Sequence, residues 1–317
     1  MDRRLFLSGL MALGCQGTIL KTEASALTNY VMPRVGSRKK NRFDENLVVF
    51  ISDMHIQPGG HTPVCFKKVV DEILAMRPLP RNVIGLGDLA HLYGRLEDYQ
   101  LARELFAPLE KAGIVVTHAM GNHDRRENFA KVFPEKTAAT VCPGHIVSVV
   151  ETPNADIIVL DSLQQGEDEK DCNRPGRFDE AQSKWLKQTL QDYRKPVFLA
   201  AHHPLKEVRA EEIIFNSPTC CGYIHGHDHR WRPEWIHRNW NTRQMLRTLC
   251  LPSTGFWGDI GYMCFHLGTD CATASLVYRD FFFLDPLKPN EQKPLQWELM
   301  EEDHKGEKCR FAYERIK

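Results

Sequence analysis

The sequence predicts an α/β protein whose sheet carries polar, metal-type ligands at its strand ends. Three observations predict it. Leu47 to Ile51 is an unbroken apolar run, the pattern of a strand buried on both faces, and it ends in Asp53 and His55. Alternate side chains leaving a strand point the same way, so these two ligands can aim at one point. The same strand, ligand, helix unit then recurs: Asn82 to Gly87 ends in Asp88, and Gly113 to His118 leads into Gly121-Asn122-His123-Asp124. Such repetition argues for an α/β sheet with its site beyond the strand ends.

The elements follow in order. Thr28 to Glu45 is basic, polar and without periodicity, so residues 27–46 read as a linker ahead of the fold. Pro63 to Met76 has apolar residues at helical spacing and is ended by Pro78 and Pro80. Glu97 to Lys111 is a second amphipathic helix, expected to break near Pro108. His145 to Val150 and Asp156 to Leu160 read as a hairpin or as adjacent strands. Ser162 to Arg177 is a long charged loop, of which Gln164 to Arg177 reads as a solvated lid or rim, and Phe178 to Tyr193 has Trp185, Leu186 and Leu190 at helical spacing. Pro196 to Ala201 is a buried strand running into His202-His203-Pro204, and Gly222 to His225 delivers Gly226-His227-Asp228-His229. Leu246 to Leu251, Tyr262 to Leu267 and Ala274 to Phe283 are further strands. Residues 47–284 form the predicted catalytic domain, and 285–317, rich in Pro and charge, a loosely attached tail.

Composition removes some functions. Lys+Arg and Asp+Glu both number 41 in 317 residues, so no net field draws in a polyanion, and nucleic acid is a poor partner. The N-terminus reads as an export signal: Arg3-Arg4 precede an apolar stretch too short and broken to form a stable membrane span, and Ala24-Ser25-Ala26 offers a cleavage site after residue 26. Asp2 to Ser8 resembles a twin-arginine signal, which implies the export machinery as a partner and a periplasmic or extracellular destination. Sec export, or lipid attachment at Cys15, are the alternatives. Of ten cysteines nine follow Cys15, with no paired spacing among them, and they read as core filler rather than a disulfide framework.

Five groups thus stand in order after apolar runs: Asp53-x-His55, Gly87-Asp88, Gly121-Asn122-His123-Asp124, His202-His203-Pro204 and Gly226-His227-Asp228-His229. The set resembles the calcineurin-like metallophosphoesterase superfamily over about Leu47 to Tyr278. The Glu97 to Leu109 helix, the Asp179 to Leu190 stretch and the AHHPL segment are similar to its cyclic-nucleotide and glycerophosphodiester phosphodiesterase branch. The resemblance implies a four-layer αββα sandwich of two mixed β-sheets flanked by helices. It also implies two metals, one held by Asp53, His55 and His229, the other by Asn122, His202 and His227, with Asp88 bridging. Imidazole, carboxylate and amide without thiolate suit Mn, Fe, Zn or Co.

The implied activity is hydrolysis of a small organic phosphodiester by a hydroxide shared between the metals. His123 is the residue that would protonate the leaving group, and Asp124 would orient it or support it from behind. A phosphomonoesterase or nucleotidase, and a non-catalytic metal-binding scaffold, are the competing readings. His91 departs from the family pattern, where Asp is usual, leaving open what holds His123 or Asp88. His203 is either a site residue or an outer one, while His225 and Asp228 read as turn or supporting residues. Trp231, Trp235 and Trp240 among arginines, and Phe256-Trp257, could build a ring-binding pocket or could pack on a sheet edge. Phe281 to Leu284 is a short apolar candidate for membrane contact.

Overall fold

A computed structural model of the chain describes residues 41–168, 170–172, 174–239, 244–278 and 307–313. In chain order the first half comprises β1 (Phe43–Ile51), α1 (Thr62–Ala75), β2 (Leu79–Leu86), α2 (Leu96–Lys111), β3 (Val115–Ala119), α3 (Arg126–Val132), α4 (Pro134–Ala138), β4 (Ser148–Glu151) and β5 (Asp156–Val159). The second half comprises α5 (Glu180–Asp192), β6 (Val197–Ala200), α6 (Leu205–Val208), α7 (Glu211–Phe215), β7 (Cys220–His225), β8 (Arg232–Asn239), β9 (Gln244–Cys250), β10 (Gly261–Leu267), β11 (Cys271–Tyr278) and β12 (Lys308–Ala312). They form two six-stranded mixed sheets, ordered β12-β11-β10-β1-β2-β3 and β4-β5-β6-β7-β9-β8.

The layering follows from the period-2 alternation of the strands. In β1, Val48 and Phe50 enter the core between the sheets, while Val49 and Ile51 face α1 and α2. In β6, Phe198 and Ala200 enter that same inter-sheet core, and Val197 and Leu199 face α5, α6 and α7. Both faces of both central strands are therefore buried, which is why neither run shows polar alternation. Helix α1 docks through Phe66, Val69, Val70 and Ile73, one stripe at helical spacing. The result is the four-layer αββα sandwich.

Strands β1, β2 and β3 are mutually parallel, as are β5, β6, β7 and β9. Parallel strands connected through helices end on the same side, which gathers their outgoing loops into one place.

Three details differ from the expectations. Helix α2 runs through Pro108 without a break. Pro108 lies on the exposed side, where water can serve the carbonyl its ring deprives of a partner. Strand β1 begins at Phe43, inside the expected linker. At the other end, residues 308–312 are part of the sheet: β12 pairs antiparallel with β11, and Cys309 and Phe311 reach the inter-sheet core. The expected signal segment, Trp240 and Phe281 to Leu284 lie outside the described residues. The nine cysteines after Cys15 are free, and six of them are buried.

Candidate metal centre

Each predicted ligand sits just beyond the end of β1, β2, β3, β6 or β7. The backbone there is unusual. Six non-glycine residues among those described have positive φ, and five of them are Asp53, His55, Asp88, His227 and His229. L-residues reach that region at a cost of about 1–3 kcal/mol each. The surroundings hold them there: the amides of Asp53 and His55 donate to the carbonyls of Gly87 and Asp88 at 3.2 and 2.9 Å. The motif glycines make room, since a methyl group on Gly121 would strike the Asp88 carboxylate, and one on Gly226 would strike the Ser52 hydroxyl.

Orientation of the imidazoles comes from main-chain carbonyls. Nδ1 of His55 lies 2.9 Å from the carbonyl of His91, Nδ1 of His202 2.9 Å from that of Leu86, and Nδ1 of His229 3.0 Å from that of Trp257. A carbonyl only accepts, so each Nδ1 carries the proton and each Nε2 is left as the ligand atom. These nitrogens converge on the carboxylates. His229 Nε2 is 3.1 Å from Asp53 Oδ1, His202 Nε2 is 3.1 Å from Asp88 Oδ2, and His55 Nε2 is 3.7 Å from Asp88 Oδ2. His227 turns its Nδ1 instead, 3.0 Å from Asn122 Oδ1.

The donor set fits metal cations. His55 Nε2 and His229 Nε2 are 3.4 Å apart, two lone pairs facing each other once both Nδ1 atoms are protonated. His202 Nε2 is fully buried and faces only carboxylate oxygens, Asp88 Oδ2 at 3.1 Å and Asp53 Oδ1 at 3.9 Å. Asp53, His55 and His229 form one compact ligand group; Asp53, Asp88 and His202 form another, as do His55, Asp88 and His123. Asp88 is thus shared between neighbouring groups, the position of a bridging carboxylate. Two cations, one on either side of Asp88, would satisfy lone pairs that are otherwise opposed and buried.

The charges are tuned accordingly. Burial alone would raise the Asp88 carboxyl, but His202 and His123 outweigh it and hold it well below the usual carboxylate range. Asp53 is likewise held low, by His229 and His202 against its burial. Burial lowers His55 to about 3, keeping it a neutral donor, whereas Asp88 and Asp53 overcome burial at His202 and raise it to about 10. Protons and metals compete for these nitrogens, so metal binding must release protons.

The remaining candidates divide. His123 lies beside His55 and Asp88; its Nδ1 is 3.0 Å from the Leu92 carbonyl, so Nε2 is its free nitrogen. That carbonyl, one residue beyond His91, is the group that holds the His123 ring. His91 itself packs edge-on against Phe256. Asp124 faces away from the cavity and joins two loops, accepting from the amides of Leu89, Ala90 and Gly121 and from the Tyr99 hydroxyl at 2.9–3.3 Å. It supports the Asp88 and Asn122 loops rather than touching His123's ring. His203 joins His202 and His227 in a fourth ligand group, with its Nδ1 on Ser162. His225 is buried behind the turn, and Asp228 pairs with Arg232 at 2.7 Å.

Several supporting residues had no sequence signal. Ser52 Oγ lies 2.6 Å from Asp53 Oδ2. Tyr99 donates to Asp124 and accepts from the Arg125 amide. The described part of the 162–177 loop exposes Glu167, Asp168 and Lys170 and is also pinned: Asn122 Nδ2 donates to the Cys172 carbonyl at 2.8 Å, and the Arg125 guanidinium to the carbonyls of Gly166 and Asp168. A cavity of about 500 Å³ opens over the ligands, lined also by Arg230, Phe256 and Trp257.

A cluster of buried carboxylates and imidazoles at parallel strand ends, with an open cavity above, marks a metal centre, and the family whose pattern the chain matches makes it a metal-dependent phosphoester hydrolase. The sequence pattern of the calcineurin-like phosphoesterase family matches residues 47–231, and the chain belongs to that family. A probable cyclic nucleotide phosphodiesterase of Rhodopseudomonas palustris is 34% identical over 124 residues, covering 38% of this chain and 42% of that protein. Among solved structures, a dimetal phosphatase from Danio rerio superposes with a TM-score of 0.58 at 16% identity, over 73% of this chain and 95% of that one, and so shares the fold. Family and ligand set together imply two divalent metal ions.

Proposed function

We propose that the chain is an exported phosphodiesterase that hydrolyses a small organic phosphodiester at this centre. The observation that carries the reading is the placement of His123, with a free Nε2, beside the Asp88-centred ligand group at the floor of an open cavity. The relative described as a probable cyclic nucleotide phosphodiesterase supports a diester over a monoester. Export is supported by Arg3-Arg4 and the apolar stretch behind them.

Two divalent cations, when bound, supply Lewis acidity and lower the pKa of a water toward 7. Asp53, His55 and His229 would hold one, Asn122, His202 and His227 the other, with Asp88 between them; Mn, Fe, Zn and Co all suit these donors. The chain's own groups do the rest. With a proton on both ring nitrogens, His123 would pass the Nε2 proton to the leaving oxygen as its bond to phosphorus breaks, while the Leu92 carbonyl holds the ring through the Nδ1 proton that remains. The Asn122 amide, tied to the Cys172 carbonyl, keeps its Oδ1 turned toward His227. Arg230 makes no ion pair or hydrogen bond through its side chain among the described residues and lines the cavity, so its charge is available to phosphate oxygens.

The test is hydrolysis of bis(p-nitrophenyl) phosphate and p-nitrophenyl phosphate, with metal content, before and after chelation and reconstitution with Mn, Zn, Fe or Co. Chelator-sensitive diester cleavage with about two metals per chain is the expected result. Activity confined to the monoester would move the assignment to a phosphomonoesterase. Absence of metal and activity after every reconstitution would make the chain a binding module.

A further inference from the structure

Phe256 and Trp257 wall one side of the cavity, yet they are placed differently. Phe256 is consumed by packing: its ring lies 4.1 Å from that of His55 and meets His91 edge-on at 5.2 Å. Trp257 stacks one face on His229, with centroids 4.3 Å apart and planes 30° apart, and remains 46% exposed. The loop that carries it is clamped. The Trp257 carbonyl lies 3.0 Å from His229 Nδ1, Ser253 Oγ donates to the Asp53 carbonyl, and the Asp259 amide donates to the His229 carbonyl.

The indole is therefore fixed one imidazole away from the ligand nitrogens, with its second face uncovered. Among the described residues, the other tryptophans of this region do not compete for the role. Trp231 is buried, and Trp235 lies on β8 beneath the Arg247 guanidinium, outside the cavity. A rigid, half-exposed indole in a polar cavity offers what a planar ring needs: apolar area without a conformational cost of ordering. The cavity volume is in the range that holds a nucleotide-sized ligand.

We propose that the open face of Trp257 seats a nucleobase carried by the substrate, so that nucleotide diesters are preferred to aliphatic ones. This rests on the phosphodiesterase reading and names its substrate class. Stacking is indifferent to the identity of the base, so purine and pyrimidine diesters should share the benefit. Arg230, by contrast, serves the phosphate of any diester.

The test compares cyclic AMP with glycerophosphoethanolamine on the metal-loaded full chain. Trp257→Ala should raise KM for cyclic AMP roughly 5- to 100-fold and leave KM for the aliphatic diester within about twofold. Trp257→Phe should restore most of the difference, and Arg230→Ala should raise both KM values alike. A readout without turnover is quenching of tryptophan fluorescence by AMP, expected in the wild type, lost in Trp257→Phe and absent with glycerol 3-phosphate. Equal losses of kcat on both substrates, or loss of metal in Trp257→Ala, would make the indole a packing partner of His229 and overturn the proposal. So would an unchanged KM for cyclic AMP. If the wild type hydrolyses neither diester, the phosphodiesterase reading fails, and AMP quenching alone still decides whether the seat exists.

Discussion

The two halves of the site differ in kind. The first sheet supplies Asp53, His55, Asp88, Asn122 and His123, hence both carboxylates and the amide; the second supplies His202, His227 and His229, imidazoles only. The short contacts cross from one half to the other: His202 to Asp88 and His229 to Asp53, each at 3.1 Å. Alone, the first half would bury two carboxylates with too few partners, and the second would hold neutral bases with nothing to attract a dication. The site is therefore an interface, and its affinity depends on how firmly the two sheets are held face to face.

Removing charge from the first half should do the most damage. Asp88→Asn leaves His202, now raised to about 10, without its main counter-charge. Breaking such a buried pair costs about 3–5 kcal/mol of stability, and losing the charge shared by the two ligand groups should cost most of the metal affinity and nearly all turnover. Metal titration followed by calorimetry checks this. Retention of both metals with normal turnover would refute the bridging role.

The interface itself is tested by Phe198→Ala. Phe198 projects from the second sheet onto Phe265 and Phe311 of the first, edge-on at 5.0 and 5.5 Å, and is fully buried. Truncation should cost about 3–5 kcal/mol in denaturant unfolding. The folded fraction should still bind metal, because the ligand loops lie beyond the strand ends. A cost under about 1 kcal/mol would mean that the sheets are held together elsewhere.

This contrast also explains what could be read in the sequence. Asp53, His55, Asp88, His202, His227 and His229 were legible because each follows an apolar run that announces a buried strand. The groups that orient them were not. His55, His123, His202 and His229 are aimed by the carbonyls of His91, Leu92, Leu86 and Trp257, and a carbonyl has no residue signature. Tyr99 looks like one more apolar residue of an amphipathic helix, since only the tertiary fold brings its hydroxyl to Asp124. Strand β12 did alternate, with Cys309 and Phe311 inward, but five residues after a long charged segment are too few to outweigh composition. Asp124 stood in the right motif, and its direction, away from the cavity, depended on where the Leu89 and Ala90 amides lie.

Within the first half, Asp124 and Asp88 are opposites, and pH separates them. Burial and then the Asp88 charge raise the Asp124 carboxyl from 3.8 to about 6, against the amides of Gly121, Ala90 and Leu89. The fold thus binds this proton more tightly than the unfolded chain does. The resulting stabilisation is full below about pH 4 and is lost as pH rises through 6. In metal-free protein, the stability difference between wild type and Asp124→Asn should therefore change between pH 4 and 6 and level off above. A difference flat across that window would mean that Asp124 titrates normally.

The smallest effect should come from Tyr99→Phe, and it is the most selective for the first half. The hydroxyl donates to Asp124 Oδ1 at 3.0 Å and accepts from the Arg125 amide at 2.7 Å, so its loss leaves a carboxylate oxygen and a backbone amide each short of a partner. Unsatisfied buried groups cost about 1–3 kcal/mol, and solvent access at the part-buried Arg125 amide places the expected loss of stability near the lower end. Metal affinity should stay within about tenfold, since no ligand loses a direct contact. Turnover is the sensitive readout, because the Arg125 amide follows directly on the Gly121–Asp124 turn that carries His123. A fall in kcat with KM and metal content unchanged would show that Tyr99 positions His123 through Asp124 and the turn it closes, whereas a loss of metal would mean that the hydroxyl also holds the Asn122 side of the site.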